Sequence, residues 1–297
     1  MTSGGESPRQ SEIDAGYQPE VVSAFEGDVP AGTRTPSALR HRLRVAGPAV
    51  VAFLLVLALW EGGTRLFNVE TFVLARPSLI LERFFATTDV IWPAGFKTLI
   101  EAVVGLVAGT FLGVAVAFST IRWAPVREGL MPFAIAANSV PIIALAPIAN
   151  GMFSITSPVA KMAVVTVVVF FPVMINTARG LMEVDEAELE LMRSYAATPR
   201  EIMWRVRVPH ALPYFFSAMK VVAVLSIIAA IIAEYFGGSQ EVLGQYILTK
   251  ASLFVYADAW AGIVVASILG VALYGSVLLS ERLVMPWHVS FRTSDAS

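Results

Sequence analysis

The chain has 297 residues, of which 56% are apolar and 15% charged, with a formal net charge of −2 and no cysteine. A soluble globular domain carries roughly 25% charged residues, so the composition points to a membrane protein. It also excludes disulfides, thiolate metal sites and cysteine nucleophiles, and leaves no electrostatic case for nucleic-acid binding.

Residues 1–40, rich in Ser, Gly, Pro and acids and without apolar periodicity, read as a disordered tail. The tail is too long and too acidic for the start of a signal peptide, so the apolar run after His41-Arg42-Leu43-Arg44 reads as an anchor that stays in place. Six segments can each cross the roughly 30 Å of a bilayer core with about 20 apolar residues. They are Val45–Leu66, Thr98–Ser119, Leu130–Phe153, Val159–Ala178, Tyr214–Ala233 and Trp260–Leu279. Glu61 and Arg65 interrupt the first. The fold class is therefore all-α: a polytopic helical bundle over 41–290, with a short tail at 291–297.

Between the first two spans, Pro77 and Ser78 open a short helix whose apolar side carries Ile80, Leu81, Phe84 and Phe85. The second span sets Gly105, Gly109 and Gly113 four apart, and the sixth sets Gly262, Ala266 and Gly270 likewise. Such rows let helix backbones approach closely. The third span differs. Pro141 and Pro147 each remove a backbone donor and predict a kinked helix, with the polar Asn138, Ser139 and Asn150 close by. These residues suit either a translocation path or hydrogen bonds to neighbouring helices, and Asn176 at the inner end of the fourth span suits both readings too.

Glu101, Lys161, Lys220 and Glu234 lie within a turn or two of predicted span ends, from which they are expected to reach the interface; the two lysines snorkel. Glu234, before Tyr235 and Phe236, is a candidate for an outer gate or loop contact. The sequence shows no chain of buried acids and histidines and no internal two-fold repeat, which counts against a secondary active transporter. His41, His210 and His288 are too scattered for a metal site. The connection after the fifth span, from Gly237 to Asp258, reads as a short helix dipping part-way into the bundle.

Leu181–Pro213 is a long charged connection between two apolar spans. Leu181, Val184, Ala187, Leu191 and Tyr195 recur at helical spacing, while Glu183, Asp185, Glu186, Glu188 and Glu190 crowd the other sides. After a break at Ala196-Ala197, Thr198-Pro199-Arg200-Glu201 has the form of a capping box. The second helix that it starts is expected to stop before Pro209, because a proline pushes the preceding Val208 out of the helical region. Two short helices joined by a turn make a rigid projection rather than a floppy loop. Lys and Arg placement puts this projection and both termini in the cytoplasm.

The order of these elements resembles the EAA loop of ABC-importer permeases: Glu-Ala-Ala, three residues, Gly, nine residues, then Ile-x-Leu-Pro. Aligned on Pro209, Glu190 takes the place of the motif glutamate, and Val206 and Val208 those of the isoleucine and leucine. Leu191 and Met192 stand where the family has alanines, and Ala196 stands at its glycine. The spacing of ARPS, SVPIIALAP, ARGL and LPYFFSAMK is similar to the branch that includes nitrate, sulfonate, taurine and bicarbonate importers, some of whose members carry thiamine precursors or riboflavin. The resemblance implies the type I ABC importer permease fold in a bacterial inner membrane. It further implies a homodimer served by an external solute-binding protein and bound by two cytoplasmic ATPases. Those partners would hold ATP and magnesium, and this chain would bind no cofactor and catalyse nothing. The implied ATPase-coupling residues are Glu186, Glu190, Arg193, Tyr195, Ala196, Ala197, Thr198, Pro199 and Arg200, with Pro209 closing the motif. The implied cargo is a small sulfonate- or nitrate-type anion or a small heterocycle. A secondary transporter subunit and a membrane assembly protein remain the rival readings.

Overall fold

The computed structural model describes residues 38–137 and 141–286. All regular structure among them is helical. Helix α1 (Ala38–Leu66) starts within the expected tail, since Ala38, Leu39 and Arg40 are already helical; residues 1–37 and the expected tail at 291–297 lie outside the described residues. The chain divides into units at 1–58 and 59–297. In the first, α1 presents Phe53, Leu54, Leu55 and Val56 exposed, as a lipid-facing helix would.

The second unit holds the core. Helix α2 (Pro77–Ala86) is the short helix expected from Pro77-Ser78, with Ile80 buried. Glu61, which interrupts the first span, caps it: Ser78 donates from its backbone N–H at 3.0 Å and its hydroxyl at 2.9 Å, and Arg65 also bonds this carboxylate. Helix α3 (Thr88–Arg122) starts ten residues ahead of the expected span. Its glycine row packs on α6 (Pro158–Met182): a Cβ at Gly109 would lie 2.6 Å from the Thr166 carbonyl, and one at Gly105 2.8 Å from that of Met162. The close-packing reading of that row therefore holds within one chain. The second row divides. A Cβ at Gly262 would meet Ile247 at 2.8 Å, whereas Gly270 faces open space.

The third span is corrected. It is two helices, α4 (Ala124–Ala137) and α5 (Ile142–Phe153), in place of one kinked helix. Pro141 is the N-cap of α5, a position where a proline disfavours helix in the residue before it. Among the described residues, five helices are thus long and apolar enough to cross a membrane, and the sixth expected crossing is this interrupted pair.

Helix α7 (Glu186–Ser194) and helix α8 (Pro199–Ile202) form the charged projection. Here a second expectation fails. Val208 is helical, at φ −66° and ψ −50°, and α8 runs through a π-turn (Met203–Arg207) directly into α9 (Val208–Tyr235). The Val208 N–H reaches back five residues to the Met203 carbonyl. That wider turn accommodates Pro209, which has no N–H to donate and whose ring would crowd a regular α-turn. Pro199–Tyr235 is consequently one 37-residue rod, about 55 Å long at 1.5 Å per residue, against roughly 30 Å of bilayer core.

Helix α10 (Leu243–Ser252) buries Leu243, Gly244, Tyr246 and Ile247 against α11 (Tyr256–Val284), α9 and α3. It is the short inserted helix the sequence predicts. The main core gathers Ile91, Val165, Val169, Val222, Ile227, Leu243, Val265 and Leu269.

Candidate functional site: a helical projection and a buried polar cluster

At one end of the bundle, α7 and α8 project beyond the spans. The Asp185 side chain caps α7 by accepting from the Ala187 N–H at 3.0 Å. The helix closes in a Schellman turn: Ala197 donates to the Met192 carbonyl at 3.0 Å and Ala196 to that of Arg193 at 2.9 Å. Ala196, at the position of the family glycine, sits at φ 54°, where a side chain is strained. The capping box is complete, with the Thr198 N–H donating to Glu201 at 2.8 Å and the Glu201 N–H to the Thr198 hydroxyl at 3.3 Å.

The base is fixed by a cluster of Ala117, Ala178, Leu181 and Ala211. Arg207 donates to the Leu181 carbonyl at 2.7 Å, and the Tyr214 hydroxyl donates to Glu183 at 3.2 Å. A Cβ at Gly180 would lie 2.8 Å from Ala211 Cα, so α6 and α9 touch just below the projection. The amphipathic face differs from the one the spacing predicts. Leu189 is the side chain of α7 that packs inward, 5% exposed, whereas Leu191 and Tyr195 stand 56% and 76% exposed and Trp204 66%. Glu186 pairs with Arg193 at 3.1 Å; Glu190 and Arg200 are exposed. The projection thus exposes apolar side chains among charged ones on a capped frame.

At the opposite end, the structure gathers charges that the sequence reading set at the interface. Glu101, Lys161 and Glu234, from three helices, are all buried, Lys161 to 1% exposure. The snorkelling expectation for Lys161 is therefore wrong, as is the expectation that buried ionisable groups are lacking. Glu234 accepts from the Thr98 hydroxyl at 2.7 Å and from the Gly244 N–H at 2.6 Å, while Thr98 itself accepts from the Leu243 N–H at 3.1 Å. Glu234 thereby caps α10, which makes the loop contact anticipated for it concrete. Lys161 donates to the Ile155 carbonyl. The carboxyls of Glu101 and Glu234 adjoin closely enough to hydrogen-bond each other, an arrangement that requires a proton held between them. Beside this pair lies a cavity of about 240 Å³ lined by Glu101, Lys161, Lys97, Met162, Ser239 and Val242, among others. Lys97 pairs with Glu241 on the exposed side and holds that carboxyl below its usual range, chiefly by hydrogen bonding.

Lys220 does not snorkel either; it pairs with the buried Glu281 at 3.0 Å. Of the remaining path candidates, Asn138 and Ser139 lie outside the described residues. Pro141 and Pro147 are exposed on α5. Asn176 spends its amide on the Pro172 carbonyl at 2.8 Å, a bond within its own helix. Asn150 is buried with its Nδ2 unpartnered, and a Cβ at Gly237 would come within 3.0 Å of it. Asn150 and Glu234 therefore share the end opposite the projection, whereas Asn176 does not. Glu101, Lys161 and Thr98 were missed as a site. The available signal was ionisable residues set a turn inside three apolar runs.

Residues 105–286 match the family described as binding-protein-dependent transport system inner membrane component. The chain is 28% identical over 237 residues to the formylaminopyrimidine transport permease protein ThiX of Halalkalibacterium halodurans, covering 80% of this chain and 94% of that one. Against the nitrate import permease protein NrtB of Synechocystis, identity is 24% over 275 residues, covering 90% and 98%. A solved amino acid ABC transporter shares the fold at a TM-score of 0.55 and 17% identity, over 67% of this chain and 95% of that chain.

Proposed function

Because the chain belongs to the family of binding-protein-dependent transport system inner membrane components, we propose that it moves a small organic solute across the membrane and takes its power stroke from a cytoplasmic ATPase seated on the Glu186–Arg207 projection. One observation carries the coupling role. The capped turn at Thr198 opens a single helical rod that runs from Pro199 to Tyr235, with the exposed Leu191 and Tyr195 beside that turn at the end of α7. A push on the tip is therefore delivered to the span without a hinge at the membrane surface. Glu190 and Arg200 flank the apolar contact, Ala196 and Ala197 form the turn that enters the groove, and Thr198, Pro199 and Glu201 lock it.

In this reading the projection and both termini face the cytoplasm, on the side of the arginine excess. Two copies of the chain form the path between them, and an external binding protein delivers the solute to the end where Asn150 and Glu234 lie. The ATPase subunits, not this chain, bind ATP and magnesium. The cargo is a small heterocycle of the thiamine-precursor kind, with nitrate- or sulfonate-type anions as the competing class.

The test is co-purification from membranes with the ATPase, using Glu190→Lys and Ala197→Trp. Both variants are expected to insert normally and to lose the ATPase and ATP-dependent uptake. Retention of both by both variants would falsify the coupling role.

A further inference from the structure

Resting on the importer reading, we propose that Arg207 is a positioning residue for the stroke: it ties the C-terminal end of α6 to the rod, so that α6 tilts together with α9 when the tip is pushed. The two spans leave the projection through unequal joints. Helix α9 continues the rod without a break. Helix α6 ends at Met182, and residues 183–185 between it and α7 are not helical, so a push along the chain bends there before it reaches α6.

Apolar packing does not close that joint. The helices approach closely at Gly180, where a Cβ would lie 2.8 Å from Ala211 Cα, and a glycine has no side chain to key into α9. Ala211 also borders a cavity of about 150 Å³ between α3, α6 and α9, lined by Phe118, Thr177, Leu181, Val208 and Phe215 among others. Arg207, four residues before Ala211, bridges the same joint by donating to the Leu181 carbonyl at 2.7 Å. That carbonyl is one of the last four of α6, which have no partner inside the helix and carry the negative end of its dipole. A guanidinium there makes a charge-assisted, directional bond, and Leu181 is fully buried, which limits competition from water. The second link across the joint, from the Tyr214 hydroxyl to Glu183 at 3.2 Å, ends on a carboxylate that is 54% exposed and is correspondingly weaker. The motif that the loop resembles does not prescribe this role, since its Ile-x-Leu-Pro places Arg207 at the unspecified position.

The experiment uses the full permease with its ATPase in nanodiscs. The chain has no cysteine, so spin labels on Val159→Cys in α6 and Ile228→Cys in α9, both exposed, report one distance once labelled chains are diluted with unlabelled ones. Val159 lies about 30 Å along α6 from Gly180 at 1.5 Å per residue, so a tilt of about 10° at the joint moves its label by about 5 Å. With Arg207 present, the distance is expected to be the same without nucleotide and with ATP and vanadate. Arg207→Met keeps the apolar stem and loses the guanidinium. It is expected to start from the same distance, to keep the ATPase bound, and to shift by about 5 Å when ATP and vanadate are added. Arg207→Lys, which restores the charge, is expected to remove most of that shift. The proposal is overturned if the chain with Arg207 shifts as well, if Arg207→Met holds its distance in both states, starts from a different one or loses the ATPase, or if Arg207→Lys shifts as Arg207→Met does. Failure of the wild type to retain the ATPase would instead overturn the importer reading, and the proposal with it.

Discussion

Ala196→Gly should stabilise the tip of the projection. Ala196 sits at φ 54°, where an L-residue with a Cβ pays about 1–2 kcal/mol relative to the right-handed region. Glycine relieves that strain but makes the open loop more disordered, at about 0.5–1 kcal/mol. The side chain is exposed, so little packing is lost. The net gain is about 0.5–1 kcal/mol, or about a two- to fivefold shift in the local opening equilibrium. Amide hydrogen exchange reads it directly, because the Ala197 N–H closes the turn onto the Met192 carbonyl at 3.0 Å. In the variant this amide should exchange about two- to fivefold more slowly, while amides in the spans are unchanged. Ala196→Val, β-branched and worse in this region, should exchange faster than wild type. If the glycine variant exchanges as fast as wild type or faster, strain at Ala196 is not what limits the turn.

Two further variants probe the bundle. Gly109→Ala places a Cβ 2.6 Å from the Thr166 carbonyl, so the overpacking penalty of about 1–3 kcal/mol should outweigh the roughly 1 kcal/mol that alanine gains in helix propensity. Thermal unfolding in detergent should fall for it and stay level or rise for Gly270→Ala, whose Cβ meets nothing within 4 Å; the reverse order would contradict the packing assigned to α3 and α6. Lys220→Met leaves Glu281, 6% exposed in its side chain, without its cation and should cost about 3–5 kcal/mol. Adding Glu281→Gln should recover most of that loss, and a double variant no more stable than the single one would show that the pair does not act as a unit.

Features that depend on neighbours in sequence were legible in it. The capping box at Thr198–Glu201, the helix opened by Pro77 and the glycine row of α3 all follow from residues three or four apart. The resemblance of the loop likewise marked Ala196 as the departure from glycine, and the structure finds the strained φ there. Features that need distant partners were not legible. Glu101, Lys161 and Glu234 each sit near the end of an apolar run, and taken singly each has an easier route to water; only the packing of α3, α6 and α9 turns them inward and partners them. Pro209 misled for a different reason. The rule that a proline ends a preceding helix assumes α-helical hydrogen bonds, and the wider π-turn suspends it. Spacing on α7 similarly gave an apolar stripe through Leu191 and Tyr195, when the residue that anchors the helix is Leu189.

The π-turn at Met203–Arg207 also fixes a phase. Each residue of an α-helix rotates the chain by about 100° and lifts it about 1.5 Å, so the one extra residue held in a wide turn offsets everything on one side of it from everything on the other. The direction in which the Thr198–Glu201 turn faces is thus set independently of the face that α9 presents to α6 and α11. A single-residue deletion in this stretch would swing the Thr198–Glu201 turn by about 100° around the rod axis and set Pro209 in a regular α-turn, where its ring crowds the backbone.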